Sequence, residues 1–278
     1  MTQTKLRYDE LYKGFTWERC MQEHLDWAPR GHFNVTYEAI DRHASDPRKA
    51  AIFYVSPDGR EEKYTFREMK HLTSQFANVL RSLGVQKGDR VARMLPRTIE
   101  NYITFLGTWK AGAVDLPVFT AYGPEAIEYR VKDAGATVLI TDAENRRKIE
   151  AISGGLPGVK IVVVAAREGE TGLQPGDLDF WHEMSLASRE FEPVKKAGTD
   201  LVVVHYTSGT TGKPKGVMVA ENSAMFTIPF AQYALDLKPD DMFWGFADPG
   251  WLYALFTVGT GVLTMGGSLF VYGGRLDA

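Results

Sequence analysis

Cysteine and paired metal-ligating residues are scarce in this sequence. Its 278 residues include one cysteine, Cys20, and six histidines that form neither a Cys-x-x-Cys nor a His-x-x-x-His pair. A single cysteine cannot close an internal disulfide, and these spacings carry no zinc signature. The sequence therefore predicts a reducing compartment, the cytoplasm, and no bound structural metal.

An excess of basic charge and an export signal are missing as well. Lysine and arginine total 32 against 35 acidic residues, a formal net charge of −3. Nucleic acid is therefore not an expected partner, because a phosphate backbone calls for a basic surface. The first residues, MTQTKLRYDELYKGFTWE, alternate charges with aromatic side chains and lack the apolar stretch of a signal peptide.

One long segment, residues 249–274, has no charged residue and would be long enough to cross a bilayer. It contains seven glycines, which favours a buried helix at about residues 251–265 followed by a strand at residues 268–272. A membrane span is the alternative, and we do not expect one.

Apolar segments of strand length alternate with amphipathic helical stretches through most of the chain. These segments span residues 51–55, 90–95, 113–118, 137–141, 160–164, 201–206 and 268–272. Consecutive Val, Ile and Leu are typical of strands covered on both faces, and the alternation is that of βαβ units. The pattern predicts an α/β fold with mixed, largely parallel sheets covered by helices, and a local hairpin around residues 56–59.

Helix ends are marked at several places. Thr65 and Glu68 form a capping box, and the helix that follows should stop at Gly84. A second helix is predicted at about residues 98–110, and a third from Pro124 to Gly135. The charged segment 189–199 is the best candidate boundary, which predicts a first α/β subdomain over residues 1–190 and the start of a second over residues 200–278.

The strongest chemical signal is YTSGTTGKPKG, residues 206–216, directly after a predicted strand. Its glycines free the backbone to expose successive N–H groups, while hydroxyls and two lysines add donors and charge. This composition predicts a phosphate-binding loop, with a flexible polar surface loop as the alternative. It is not a Walker motif, because Pro214 stands five residues after Gly209 and no Lys-Ser or Lys-Thr pair follows.

The loop resembles, residue for residue, the ATP phosphate-binding loop of the adenylate-forming enzymes, which include acyl-CoA synthetases and luciferases. Three further stretches are similar to the acetyl-, propionyl- and medium-chain acyl-CoA synthetase branch: residues 33–43, 88–118 and 135–142. ADPGWLYALFTVGTGVLTMGGSLFVYGGR, residues 247–275, is similar to the Asp-x-Gly-Trp helix and following strand of that branch.

The resemblance implies an αβαβα-type domain and an AMP-forming acid–CoA ligase that uses ATP, Mg²⁺ and coenzyme A on a short- or medium-chain carboxylic acid. No general base is needed, since such an acid is already ionised at neutral pH. Family members are about twice as long, and their adenylation lysine and C-terminal domain have no counterpart here, so this chain alone is not expected to catalyse adenylation. The alternative is a stand-alone nucleotide-binding or regulatory module without catalysis.

The resemblance also assigns site residues. Those expected to contact the β- and γ-phosphates are Thr207, Ser208, Gly209, Thr210, Thr211 and Gly212. Lys213 would add charge there, whereas Lys215 would either do the same or hold the loop through an ion pair.

Some aromatic and basic residues near these motifs have two interpretations each. Trp251 is the candidate for the acyl pocket, with core packing as its alternative, and Trp244 and Tyr253 are weaker candidates. His205 is interpreted as a core histidine with its ring nitrogens satisfied. Arg167 is interpreted as a solvated loop residue, with a coenzyme A phosphate as its other possible contact.

Overall fold

Two β-sheets form the framework of the computed structural model, which describes residues 8–164, 171–208 and 212–274. The strands are β1 (Ala50–Val55), β2 (Glu61–Thr65), β3 (Arg90–Met94), β4 (Val114–Pro117), β5 (Ala136–Asp142), β6 (Lys160–Val164), β7 (Leu178–Asp179), β8 (Leu201–Thr207), β9 (Lys215–Ala220), β10 (Met242–Trp244) and β11 (Ser268–Tyr272). All seven predicted strands are present. The short strands β7 and β10 and the longer strand β9 were not predicted.

The larger sheet has the order β7-β6-β5-β3-β4-β8-β9, and the smaller sheet has the order β10-β11-β1-β2. Within each sheet all neighbours are parallel except one pair, β8 with β9 in the larger sheet and β1 with β2 in the smaller. The predicted mixed, largely parallel α/β fold is thus confirmed, and so is the hairpin that joins β1 to β2.

The helices cover and separate the two sheets. They are α1 (Tyr8–Gly14), α2 (Trp17–His24), α3 (Val35–Ala39), α4 (Phe66–Ser82), α5 (Ile99–Lys110), α6 (Pro124–Ala134), α7 (Ala143–Glu150), α8 (Phe180–Leu186), α9 (Thr227–Pro229) and α10 (Val262–Thr264), with π-helical turns at Phe230–Ala234 and Tyr253–Gly261. The capping box at Thr65 is formed in both directions. Gly135, with a φ of 62°, ends α6 as predicted.

Helix α5 lies in the main hydrophobic core, and every one of its residues is buried. Its Trp109 indole N–H donates to the carbonyl of Val202 in β8 at 2.8 Å. The opposite face of the larger sheet packs a second cluster, which includes Val204 and Tyr206 of β8 and Ile127 and Val131 of α6. Side chains therefore pack against both faces of strand β8 as far as Tyr206, the residue before its end.

The uncharged segment 249–274 forms the predicted helix and strand, with one difference in hydrogen bonding. Residues Tyr253–Gly261 are π-helical before the chain continues as α10. Inside this stretch the Thr260 hydroxyl donates to the carbonyl of Leu255 at 3.2 Å, and such side-chain insertions favour wider turns. Among the described residues, no helix combines the length and apolar character that a membrane span requires.

The predicted boundary segment, residues 189–199, lies between α8 and β8. Strands from both sides of it take part in each sheet, since β8 and β9 extend the larger sheet while β10 and β11 extend the smaller. The grouping of residues 1–190 and 200–278 into two subdomains stays a prediction.

Candidate active site

The predicted phosphate loop lies at the carboxyl edge of the larger sheet. Strand β8 ends at Thr207, β9 begins at Lys215, and these two residues face each other in the antiparallel ladder. Thr207, Ser208 and Gly212 are exposed, and Gly212 has a φ of 154°, a conformation that side chains disfavour. Gly209, Thr210 and Thr211 lie outside the described residues. The described part of the loop thus presents hydroxyl groups to solvent beside the ends of parallel strands.

Helix α6 supports both ends of this loop. The Tyr206 hydroxyl, at the end of β8, donates to Asp133 Oδ2 at 2.5 Å. The Tyr129 hydroxyl donates to the carbonyl of Pro214 at 3.2 Å, and Lys213 Nζ lies 5.6 Å from the centroid of the Tyr129 ring. One turn of helix therefore fixes the loop by two hydrogen bonds and a cation–π contact.

Lys213 and Lys215, whose roles the sequence left open, are placed differently. Lys213 Nζ lies over Tyr129, within the loop, whereas Lys215 is exposed at the first position of β9, opposite Thr207. The division of roles between the two lysines stays a prediction.

A buried ionic cluster connects this edge to the Asp-Pro-Gly-Trp turn. Arg93 of β3 donates to both carboxylate oxygens of Asp115 in β4, at 3.0 and 2.8 Å, and also bonds the Asn101 amide oxygen. The same guanidinium reaches the carbonyl of Pro249 at 3.4 Å. Arg93 and Asp115 are 1% and 0% exposed. A paired and fully buried arginine is thus what anchors the turn to the sheet.

The turn itself fixes Trp251. Asp248 accepts hydrogen bonds from the N–H of Gly250 through its side chain, at 2.8 Å, and from the N–H of Trp251 through its carbonyl, at 3.0 Å. A Cβ on Gly250 would stand 2.6 Å from the Phe119 ring, so glycine is required at this position. The backbone can therefore pass close to Phe119, which places the Trp251 indole beside the Phe119 ring.

Trp251 lies at the same edge as the phosphate loop. Its ring is 5.3 Å from Phe119 and 6.3 Å from His205, measured between centroids, and 56% of the residue is exposed. Trp244 is in β10 of the other sheet and packs on Phe246 and Phe270, while Tyr253 is exposed at the start of the π-helical segment. Of the three aromatic candidates, the ring contacts therefore connect Trp251 to the carboxyl end of β8.

His205 is the residue that sequence reasoning left aside. It is 5% exposed, as expected for a core histidine, but its Nδ1 atom has no hydrogen-bond partner, so the expectation of satisfied ring nitrogens is wrong. Burial lowers the pKa of the imidazole, against the opposing attraction of Asp115. The signal was present in the sequence, since His205 interrupts an otherwise apolar strand two residues before Thr207.

Arg167 lies outside the described residues. Within residues 8–164, 171–208 and 212–274, no group of three or more His, Cys, Asp or Glu is arranged to hold a metal ion.

The hydrogen bond from Tyr129 of α6 to the Pro214 carbonyl can be tested by substitution. Tyr129→Phe removes the hydroxyl that bonds Pro214 and retains the ring beneath Lys213, so we expect the Kd of the predicted phosphate loop for a nucleoside triphosphate to rise about fivefold, measured by calorimetry. The magnitude corresponds to one neutral hydrogen bond of about 1 kcal/mol. Tyr37→Phe is the matched control, because its hydroxyl bonds Asp26 far from the loop. An unchanged Kd in Tyr129→Phe would show that this bond does not order the loop.

Comparison with known protein families gives a match over most of the chain. A family model described as "AMP-binding enzyme" matches residues 40–277. Acetyl-coenzyme A synthetase of Bacillus subtilis (strain 168) is 36% identical over 247 residues, covering 88% of this chain and 42% of the relative. Acetyl-coenzyme A synthetase of Streptomyces avermitilis is 34% identical over 292 residues, covering 96% of this chain and 45% of the relative.

Two solved structures also match most of this chain. The crystal structure of Brucella canis acyl-CoA synthetase matches with a TM-score of 0.89 and 34% identity, over 98% of this chain and 48% of that chain. The anthranilate CoA ligase AuaEII, in complex with anthranoyl-AMP, matches with a TM-score of 0.78 and 27% identity, over 88% of this chain and 46% of that one. This chain therefore spans less than half the length of each of these relatives.

Proposed function

Since the chain belongs to the AMP-binding enzyme family, whose model matches residues 40–277, we propose that it forms part of an AMP-forming acid–CoA ligase. The substrate we propose is a short- or medium-chain carboxylic acid. The observation that carries this proposal is the meeting of two features at one sheet edge, the exposed hydroxyls of Thr207 and Ser208 and the indole of Trp251. Ligands of α/β sheets commonly bind at the carboxyl ends of the strands.

The proposed chemistry has two balanced steps. A carboxylate oxygen attacks the α-phosphorus of ATP, the bond to the bridging oxygen breaks, and pyrophosphate leaves with its electron pair. The thiol of coenzyme A then adds to the acyl carbonyl, loses its proton, and displaces AMP to leave a thioester.

The roles of the described residues follow from charge and position. Negative charge grows on the departing pyrophosphate, and preorganised donors stabilise it most effectively because they need not reorient. Thr207, Ser208 and the backbone around Gly212 supply donors, and Lys213 supplies positive charge. Hydroxyl oxygens also suit a Mg²⁺ ion that arrives with the triphosphate, and such an ion would neutralise phosphate charge when bound.

Carboxylate-dependent exchange of pyrophosphate into ATP tests this proposal. The protein expressed from its complete reading frame is assayed with acetate, propionate, hexanoate, a branched acid and benzoate, beside Lys213→Ala. We expect exchange with at least one aliphatic acid and a loss of exchange in Lys213→Ala. Binding of ATP without exchange for any acid would favour the alternative, a nucleotide-binding or regulatory module.

Trp251 offers a separate test of the acid site. In Trp251→Ala we expect KM for the acid to rise roughly tenfold or more, because an aromatic wall is lost, while KM for ATP stays within about twofold. Trp244→Ala is the matched control, since that indole is 50% exposed, close to the 56% of Trp251, but lies on β10. Equal effects of the two variants on KM for the acid would refute the assignment of Trp251.

A further inference from the structure

One polar atom at the candidate site is buried without a partner. His205 follows three valines in β8 and is 5% exposed, and its Nδ1 makes no hydrogen bond. Buried polar groups are normally paired, because leaving one unpaired costs free energy. An atom of this kind beside a candidate ligand site therefore requires an explanation.

The neighbouring polar side chains do not supply the partner. Arg93 directs its donors to Asp115, Asn101 and the carbonyl of Pro249. Both carboxylate oxygens of Asp115 accept from Arg93. The hydrogen bonds of this ionic cluster join its own members and the Pro249 carbonyl, and none of them goes to the imidazole.

Besides the charges of Asp115 and Arg130, which act on the imidazole, two aromatic rings lie beside it. Phe119 and Trp251 each lie 6.3 Å from His205 between centroids. Trp251 is 56% exposed, so the group of rings reaches the surface at this point. A ligand that packs on the indole would thus lie near the imidazole ring, the Nδ1 atom of which is itself buried.

We propose that His205 is a specificity-determining residue of the acid site, and that its Nδ1 hydrogen-bonds a polar substituent, a hydroxyl, on the acyl chain of the acid. This inference rests on the proposed function. It narrows the substrate class from short- or medium-chain acids to hydroxy acids of that length.

The hydrogen-bonding capacity of a neutral imidazole favours a hydroxyl as the substituent on the acid. A neutral imidazole carries one donor nitrogen and one acceptor nitrogen, and a hydroxyl both donates and accepts, so it matches either tautomer. Burial lowers the pKa of His205, which favours the neutral ring. An acid with a plain alkyl chain would leave Nδ1 unpaired in a site from which water is displaced, and sites built around a hydrogen bond discriminate strongly against such analogues.

Matched pairs of acids test the inference in the protein expressed from its complete reading frame. The pairs are propionate with lactate, butanoate with 3-hydroxybutanoate, and pentanoate with 4-hydroxypentanoate, and the readout is kcat/KM for the acid in pyrophosphate exchange. We expect at least one hydroxy acid to be preferred over its partner by about tenfold or more, the size of one good hydrogen bond. In His205→Leu this preference should disappear, and in His205→Asn, which places an amide near the position of Nδ1, part of it should return.

The outcomes separate the two proposals. Equal kcat/KM within every pair, or a preference that survives in His205→Leu, overturns the role of His205 and leaves the ligase intact. Absence of exchange with all six acids overturns this inference, and absence of exchange with acetate, hexanoate and the branched acid as well overturns the proposed function. The comparison within wild type needs no variant, so a His205 substitution that fails to fold does not remove the test.

Discussion

In the protein expressed from its complete reading frame, Thr207→Val is expected to slow the proposed pyrophosphate exchange by about a hundredfold, because removal of one preorganised donor to a developing negative charge has an effect of that order. Thr207 is exposed and is the last residue of β8. Valine has nearly the same shape and is favoured in strands, so the substitution removes the hydroxyl and little else. The loss should therefore appear in kcat, with a small change in the unfolding midpoint.

The matched control for this prediction is Thr137→Val. Thr137 is also an exposed strand threonine, in β5, at the opposite end of the strand from its carboxyl terminus. Exchange in this variant should stay within about twofold of wild type, as expected of a surface substitution away from the site. An equal loss of exchange rate in the two variants would show that the Thr207 hydroxyl makes no specific contribution to the reaction.

Asp115→Asn is expected to lower the free energy of unfolding by about 3 kcal/mol, since breaking a buried ion pair leaves the other charge uncompensated. Arg93 and Asp115 are both buried, and they join β3 to β4 in the centre of the larger sheet. The same change weakens the interaction that orients Arg93 toward the carbonyl of Pro249. The turn that carries Trp251 is then less well fixed, so KM for the acid should rise as well. Urea unfolding followed by far-ultraviolet circular dichroism, together with the exchange assay, measures the two effects.

Two controls test whether the loss of stability in Asp115→Asn comes from the uncompensated buried charge. The double variant Arg93→Met, Asp115→Leu should recover much of the lost stability, because apolar replacements of a buried pair are often neutral. Glu128→Gln, which breaks a pair with Lys132 that is 29% and 52% exposed, should change stability by about 0–1 kcal/mol. A loss in Asp115→Asn no larger than in Glu128→Gln would contradict the structural role of the cluster.

Local patterns predicted the regular elements of the fold. Consecutive apolar residues in β5, β6 and β8 indicated strands buried on both faces, and the capping box at Thr65 located the start of α4. The loop after β8 was recognisable from its composition because the need for glycine and hydroxyl groups is itself local. These features depend on residues that are close together in sequence.

Features that depend on contacts between distant segments were not predictable in this way. Strand β9 is largely exposed and became recognisable only through its antiparallel pairing with β8. Arg93 and Pro249 are 156 residues apart, and no spacing rule connects them. The approach of His205 to Trp251 depends on the same turn, which is why sequence reasoning assigned the histidine to an ordinary core.

The central claim is that the loop at residues 207–216 binds the phosphates of ATP, and a crystal structure with Mg²⁺ and a non-hydrolysable ATP analogue tests it most directly. We predict that the β- and γ-phosphates contact the Thr207 and Ser208 hydroxyls and the backbone at Gly212. Density for the triphosphate at another place on the protein, with this loop in contact with solvent only, would contradict the claim.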